Sequence, residues 1–141
     1  GLRLLKDGSI DAFISAGNTG ALVSASKMIL GMAPGFSRPA LLAVLPTKKK
    51  PLAVVDVGAN IEAKASHLVQ FALMGSAYQK ARGIERPAVG LLNIGSESTK
   101  GTAELRLAYQ LLSKLPSPPF HFLDNIEGNG AFQGDVDVLV T

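Results

Sequence analysis

Leu52-Ala53-Val54-Val55-Asp56-Val57-Gly58-Ala59-Asn60 starts as an unbroken apolar run and ends in a polar loop that carries a glycine. The pattern of a long helix follows at residues 62–82. A short apolar run that passes through such a loop into a helix is the repeating unit of an open α/β sheet, whose strands are buried on both faces. The passage recurs on either side. Residues 11–16 lead into Ser15-Ala16-Gly17-Asn18-Thr19-Gly20 and a helix that runs to about Met32. Residues 89–94 lead into Asn93-Ile94-Gly95-Ser96-Glu97-Ser98-Thr99-Lys100-Gly101 and a helix over 102–115. In this class of sheet such loops gather at the carboxyl edge of the strands, where ligands bind.

Working outward, the apolar runs 40–45 and 52–57 are joined by Pro46-Thr47-Lys48-Lys49-Lys50-Pro51, a spacing that predicts an antiparallel hairpin with the lysines at its tip. Asn18 or Thr19 is placed to cap the first long helix, whose Leu22, Ala25, Ile29 and Met32 share a face. In the 62–82 helix, Leu68, Phe71, Ala72, Gly75 and Tyr78 line one face, yet Val69, Leu73 and Met74 lie elsewhere. A helix apolar on several sides needs more than one partner, and the expectation is the sheet and another subunit. Residues 120–123 read as a strand, 124–134 as a loop with one helical turn, and 136–140 as the last strand. The fold class that follows is α/β, a mostly parallel sheet with helices on both faces.

A length of 141 residues, 47% hydrophobic and 18% charged, suits one packed domain over 1–141. There is no cysteine, which excludes disulfides, thiolate metal sites and a thiol nucleophile. The net charge of +3 admits anionic ligands or an acidic partner without identifying either. No signal peptide is evident at the start, and no apolar run nears the roughly 18 residues of a membrane span. Residues 1–8 read as the last turns of a helix and 136–141 as a strand lacking its loop. The chain is therefore expected to be the central part of a longer protein.

A helix amino terminus presents unpaired N–H groups and partial positive charge, so it favours anions. Gly17, Asn18, Thr19 and Gly20 fit such a site, as do residues 95–101, where Lys100 adds a full charge. Ordinary turn and cap chemistry is the better explanation of any one loop taken alone; three on one edge favour a site. The dinucleotide pattern G-x-G-x-x-G and the phosphate loop G-x-x-x-x-G-K-[ST] are both absent, since Gly101 stands where the second requires a hydroxyl. His67 and His121 are scattered without an acidic cluster, so no metal is expected. Asp56 and Asn60 could orient a substrate or each other, and Asp124, Asn125 and Glu127 stand at another strand end. Lys48, Lys49 and Lys50 read as a solvated turn or as a docking point for an acidic partner; without interleaved aromatics, nucleic acid is not expected.

At these loops the chain closely resembles the PlsX family of phosphate acyltransferases. The matching stretches are Asp11-Ala-Phe-Ile-Ser-Ala-Gly-Asn-Thr-Gly-Ala21, Arg38-Pro-Ala-Leu41, Val55-Asp-Val-Gly-Ala-Asn60, His67-Leu-Val-Gln-Phe-Ala72, Met74-Gly75-Ser76, Gly90-Leu-Leu-Asn-Ile-Gly95, Lys100-Gly101 and Asn125-Ile-Glu127. The resemblance implies transfer of a fatty acyl group from acyl carrier protein to inorganic phosphate, in bacterial phospholipid and fatty acid metabolism. It implies a fold like that of isocitrate and isopropylmalate dehydrogenases, a homodimer, no cofactor, and a cytoplasmic enzyme with peripheral contact at the inner face of the membrane as an option. By the same resemblance Lys100 is the catalytic candidate, with Gly17, Asn18, Thr19, Gly20, Asp56, Asn60, His67, Asn93 and Glu127 binding phosphate or substrate. Lys48 to Lys50, or Arg82 and Arg86, would guide the acidic carrier. Family members are about twice as long, and their Asp-Gly-Phe-x-Gly-Asn motif would follow Thr141, so this segment alone is not expected to be active. The alternatives are a phosphotransacetylase-like enzyme using acyl coenzyme A and a non-catalytic module that docks the carrier.

Overall fold

In the computed structural model, which describes residues 1–141, the chain forms two units, Gly1–Pro39 and Ala40–Thr141. The first holds α1 (Leu2–Lys6) packed beside α2 (Thr19–Leu30). Asn18 caps α2 as its sequence predicts: its Oδ1 accepts from the Ala21 N–H at 3.0 Å. Leu22, Ala25 and Ile29 are half-buried along one side. The strand expected at residues 11–16 does not form. A strand needs neighbours for its N–H and C=O groups, and this unit contains no other; Ile14 is 95% exposed.

The second unit carries β1 (Leu42–Leu45), β2 (Leu52–Val55), α3 (Ala65–Ala81), β3 (Ala88–Leu92), α4 (Ala103–Ser113), β4 (His121–Ile126), α5 (Gly128–Ala131) and β5 (Val138–Val140). The strands form one sheet in the order β1-β2-β5-β3-β4. Only the β1–β2 hairpin is antiparallel, with Leu42 opposite Val55 and Leu45 opposite Leu52. The pairs β2–β5, β5–β3 and β3–β4 are all parallel. Both faces of the inner strands are apolar, which is why their sequence reads as continuous rather than alternating. Ala53, Val55, Val89, Leu91, Val138 and Val140 meet α3 and α4 through Leu68, Phe71, Ala108 and Leu112. Leu52, Val54 and Leu139 face the other way and pack with Val136 and Ala131 of α5. Helices thus lie on both faces, two long ones on one side and a single turn on the other.

Helix α3 lies on β2 and β5 and along α4. Val69, Leu73 and Met74 are partly buried against the same core. Within the chain, α4 supplies the second surface that the sequence leads one to seek in another subunit. The helix comes closest to the sheet at Gly75, where an added Cβ would run into Val138 Cγ1 and lie 3.3 Å from Val55 Cγ2. Glu104, in the first turn of α4, accepts the Ala65 N–H of α3 at 2.5 Å and ties the two helix amino termini together.

Lys48 and Lys49 at the hairpin tip are exposed, as a solvated turn requires, yet each lysine of the run has a partner. Lys48 Nζ donates to Gln133 Oε1 at 2.7 Å, Lys49 pairs with Asp135, and Lys50 Nζ lies 2.6 Å from the buried Asp137 Oδ1. Asp137 Oδ2 also accepts the Ala88 N–H at 2.8 Å. These contacts sit where β2, β3 and β5 begin, and Arg82 and Arg86 belong to the same edge through the end of α3 and the approach to β3. The basic rim expected to guide a carrier therefore occupies the edge away from the 56–60 and 93–101 loops. No helix is long and apolar enough to cross a membrane.

Candidate functional site at the carboxyl edge of the sheet

Four parallel strands end at one edge, so the residues that follow them stand in a row: Asp56 after β2, Thr141 after β5, Asn93 after β3 and Glu127 after β4. A strand spacing of about 4.8 Å puts Asp56 roughly 10 Å from Asn93. Both long helices of this unit start from this edge. Two of the three glycine loops meet here. The third, Ser15-Ala16-Gly17-Asn18-Thr19-Gly20, belongs to the other unit, where it is exposed and starts α2.

Asp56 is 8% exposed and its carboxylate is fully engaged. Oδ1 accepts the N–H groups of Leu41 at 2.7 Å and Ala59 at 3.0 Å. Oδ2 accepts the Asn60 N–H at 2.8 Å and Asn60 Nδ2 at 2.9 Å. Four donors fill the roughly four lone-pair sites of a carboxylate, so Asp56 orders its loop and has none left for a substrate. Of the two roles the sequence leaves open, Asp56 and Asn60 orient each other. Thr141 joins this corner: its N–H donates to the Val55 C=O at 2.7 Å and its hydroxyl to the Asp56 C=O at 2.5 Å. His67 is buried in the first turn of α3, and its Nδ1 accepts the Lys64 N–H at 3.2 Å. It caps its own helix.

The 93–101 loop is held differently. Asn93, 7% exposed, donates from Nδ2 to the Lys100 C=O at 3.1 Å, while its Oδ1 accepts the Ile94 N–H at 2.8 Å. The Lys100 N–H donates to the Glu97 C=O at 3.1 Å, closing a turn. The same Glu97 carbonyl accepts Asn125 Nδ2 from β4 at 2.9 Å. Gly101 completes the mount with φ +84°, and an added Cβ would lie 2.5 Å from Asn93 Oδ1, so only glycine fits. Thr102 then caps α4 through the Leu105 N–H at 3.2 Å. Lys100 projects from this braced backbone with a side chain 49% exposed, 4.0 Å from Glu97 Oε1. A surface ion pair at that distance is weak and leaves the ammonium available to an anion.

Glu127 is exposed, and its carbonyl accepts the N–H groups of Gly130 and Ala131 at the start of α5. It stands one strand beyond Asn93 along the edge. In the other unit, the Gly17 N–H donates to Ser15 Oγ at 3.1 Å, and Thr19 and Gly20 form the exposed first turn of α2. Two contributors escape the sequence reading as site residues, Thr141 and Glu104, whereas Asn125 is singled out there with Asp124 and Glu127. Composition places Asn125 in a loop, although β4 continues through it to Ile126. Apolar side chains also crowd this edge: Val57 is 45%, Ile94 83% and Ile61 fully exposed. The arrangement offers a positive charge on a fixed backbone, next to two helix amino termini, which suits an anionic substrate or a developing oxyanion.

Residues 1–141 match the family described as fatty acid synthesis protein. A phosphate acyltransferase of Koribacter versatilis (strain Ellin345) is 48% identical over 147 residues, covering 99% of this chain and 40% of that protein. One from Exiguobacterium sp. (strain ATCC BAA-1283 / AT1b) is 51% identical over 141 residues, covering 99% and 42%. The chain thus spans about two fifths of the length of these relatives. Among solved structures, the EutD phosphotransacetylase from Staphylococcus aureus matches with a TM-score of 0.70 at 18% identity, covering 96% of this chain and 48% of that one. A branched-chain phosphotransacylase from Enterococcus faecalis V583 gives 0.64 at 13% identity, covering 99% and 56%. At those identities the likeness is one of fold.

Proposed function

The chain belongs to the fatty acid synthesis protein family, and from that premise we propose that the full-length protein transfers an acyl group from a thioester carrier to inorganic phosphate. The relatives named phosphate acyltransferase support the reaction class over the whole of this chain. The observation that carries the reading is Lys100, whose backbone is braced at both its N–H and its C=O while its side chain stays half exposed at the carboxyl edge. Acyl carrier protein is the donor suggested by the sequence resemblance.

Phosphate is itself a nucleophile at neutral pH, so the protein's task is to position and to neutralise charge. A phosphate oxygen attacks the thioester carbonyl, a C–O bond forms, and negative charge collects on the former carbonyl oxygen. Collapse of that intermediate breaks the C–S bond, the sulfur departs as a thiolate that takes a proton from solvent, and an acyl phosphate is left. In this reading Lys100 supplies the charge that faces the oxyanion. A preorganised donor of this kind contributes about 2.7–4 kcal/mol to the transition state. The turns around Asp56 and Asn93 act by fixing the edge, not by touching substrate. Phosphate binding by Asn18 and Thr19 at the α2 amino terminus is a separate part of the proposal. The same holds for homodimer formation, which sedimentation of the full-length protein would decide.

The test is thiol release by the full-length protein from acyl carrier protein and from acyl coenzyme A, with and without phosphate. Phosphate-dependent release from the carrier protein is the expected result. Release from coenzyme A alone would instead identify a phosphotransacetylase-like enzyme, and carrier binding without turnover a docking module.

A further inference from the structure

Asn125 is only 3% exposed, yet just half of its carboxamide is used. Nδ2 donates to the Glu97 C=O at 2.9 Å, while Oδ1 is buried without a partner. Rotating the amide would not help, because it would set an oxygen against the Glu97 carbonyl. A half-satisfied buried amide is a poor choice for stability: an apolar side chain of the same shape would fill the place without leaving an oxygen stranded. The residue is also placed with purpose. The carbonyl that it holds is the one to which the Lys100 N–H donates, and Asn93 holds the Lys100 carbonyl from the neighbouring strand. Two asparagines, one on β4 and one just past β3, therefore grip the lysine turn from both of its ends.

We propose that Asn125 is a positioning residue that holds the Glu97–Lys100 turn, and with it the Lys100 ammonium, in the geometry acyl transfer to phosphate requires. The inference rests on the functional reading above. Asn125 touches neither phosphate nor acyl group, since its free oxygen is sealed from solvent. Its effect reaches the reaction through the backbone of Lys100, and a small displacement of a charge-stabilising group is costly to the rate.

The experiment uses the full-length protein and two variants, Asn125→Leu and Asn125→Asp. Asn125→Leu removes the grip and the stranded oxygen together. Its melting temperature should hold or rise, amide exchange at residues 97–100 should quicken, and kcat should fall about 10- to 100-fold. Unchanged exchange at the turn would overturn the proposal, as would faster exchange with wild-type kcat, or a rate loss that merely follows a loss of folded protein. Asn125→Asp tests the hydrogen bond itself. An ionised carboxylate repels the Glu97 carbonyl, whereas a protonated one donates to it. Burial raises the pKa of such a group, so its kcat relative to wild type should recover as the pH is lowered. A purely volumetric role would give a pH-independent ratio and refute the assignment. Wild-type protein lacking phosphate-dependent transfer would refute the functional reading and the role of Lys100 with it, while the exchange arm would still show whether Asn125 holds the turn.

Discussion

Adding one methyl group at Gly75 should destabilise the protein, although alanine is the better helix former. Two effects oppose each other. In a helix interior, replacing glycine by alanine gains about 1 kcal/mol from backbone entropy. Here the new Cβ would collide with Val138 Cγ1 and press on Val55 Cγ2 at 3.3 Å. Both valines are almost fully buried in central strands of the sheet and have no solvent to retreat into. Overpacking of this kind costs about 1–3 kcal/mol, and the backbone of α3 is held by the sheet and α4 together. With the overlap falling on a rigid valine, the upper part of that range applies, and Gly75→Ala should lose about 1–2 kcal/mol net. Val138→Ala alone should lose about 2 kcal/mol through the cavity it opens. Together the two should lose only about 1 kcal/mol, because the methyl added at position 75 enters the space that the valine vacates. Urea unfolding of the four proteins measures all three values. A Gly75→Ala protein as stable as wild type, or losses that simply add in the double variant, would refute the close-packed contact.

Lys100→Ala in the full-length protein should lose at least about 2 kcal/mol of transition-state stabilisation, near 30-fold in kcat/KM, with its melting temperature unchanged. Near-normal turnover would remove Lys100 from the chemistry. Asp56→Ala strands donors from Leu41, Ala59 and Asn60. Water can reclaim part of that loss at the half-exposed loop, so a cost of about 3 kcal/mol is expected in chemical denaturation, and a change below about 1 kcal/mol would show that the loop holds without it. The Tyr109 pKa is raised from its ordinary 10.0, first by its hydrogen bond to Asp124 and then by burial. The folded state therefore favours the neutral phenol. The resulting stability is complete below the ordinary tyrosine range and is lost as the pH rises through the raised folded value. Asp124→Ala should bring the Tyr109 tyrosinate midpoint down in an ultraviolet titration, and an unmoved midpoint would deny the contact.

The elements that sequence reading recovers best are those whose own residues carry the signal. Asn18 caps the helix it precedes, and the paired apolar runs around the lysines make the predicted hairpin. What it misses depends on residues far away along the chain. Residues 11–16 have strand composition but no neighbour to pair with. Asp124 and Asn125 look like loop residues, yet β3 recruits them into β4, with a register shift opposite Val89 and Gly90. The lysine run is exposed as expected, but its pairing is invisible in the sequence because the partners lie far along the chain, 85 residues on for Gln133 and 86 for Asp135. At the edge itself, the polar residues that the sequence marks as ligands do hold special places. Asp56, His67 and Asn93 hydrogen-bond the protein's own backbone, while Lys100 and Glu127 keep exposed charged side chains at this edge.

β5 stands at the middle of the sheet but follows the other four strands in sequence, and it is three residues long. Until Val138–Val140 leaves the ribosome, the β1–β2 hairpin and the β3–β4 pair have no strand to join them. Each half must wait as a separate piece with an unpaired edge exposed. Closure then depends on contacts between residues about 85 apart, such as Val54 with Leu139, and topology of this kind folds slowly. The delay has a counterpart in the finished protein. Within the sheet, any strain carried between the Asp56 corner and the 93–101 loop must pass through this short strand, and only the packing of α3 along α4, with the Glu104–Ala65 hydrogen bond, bridges the two halves outside it.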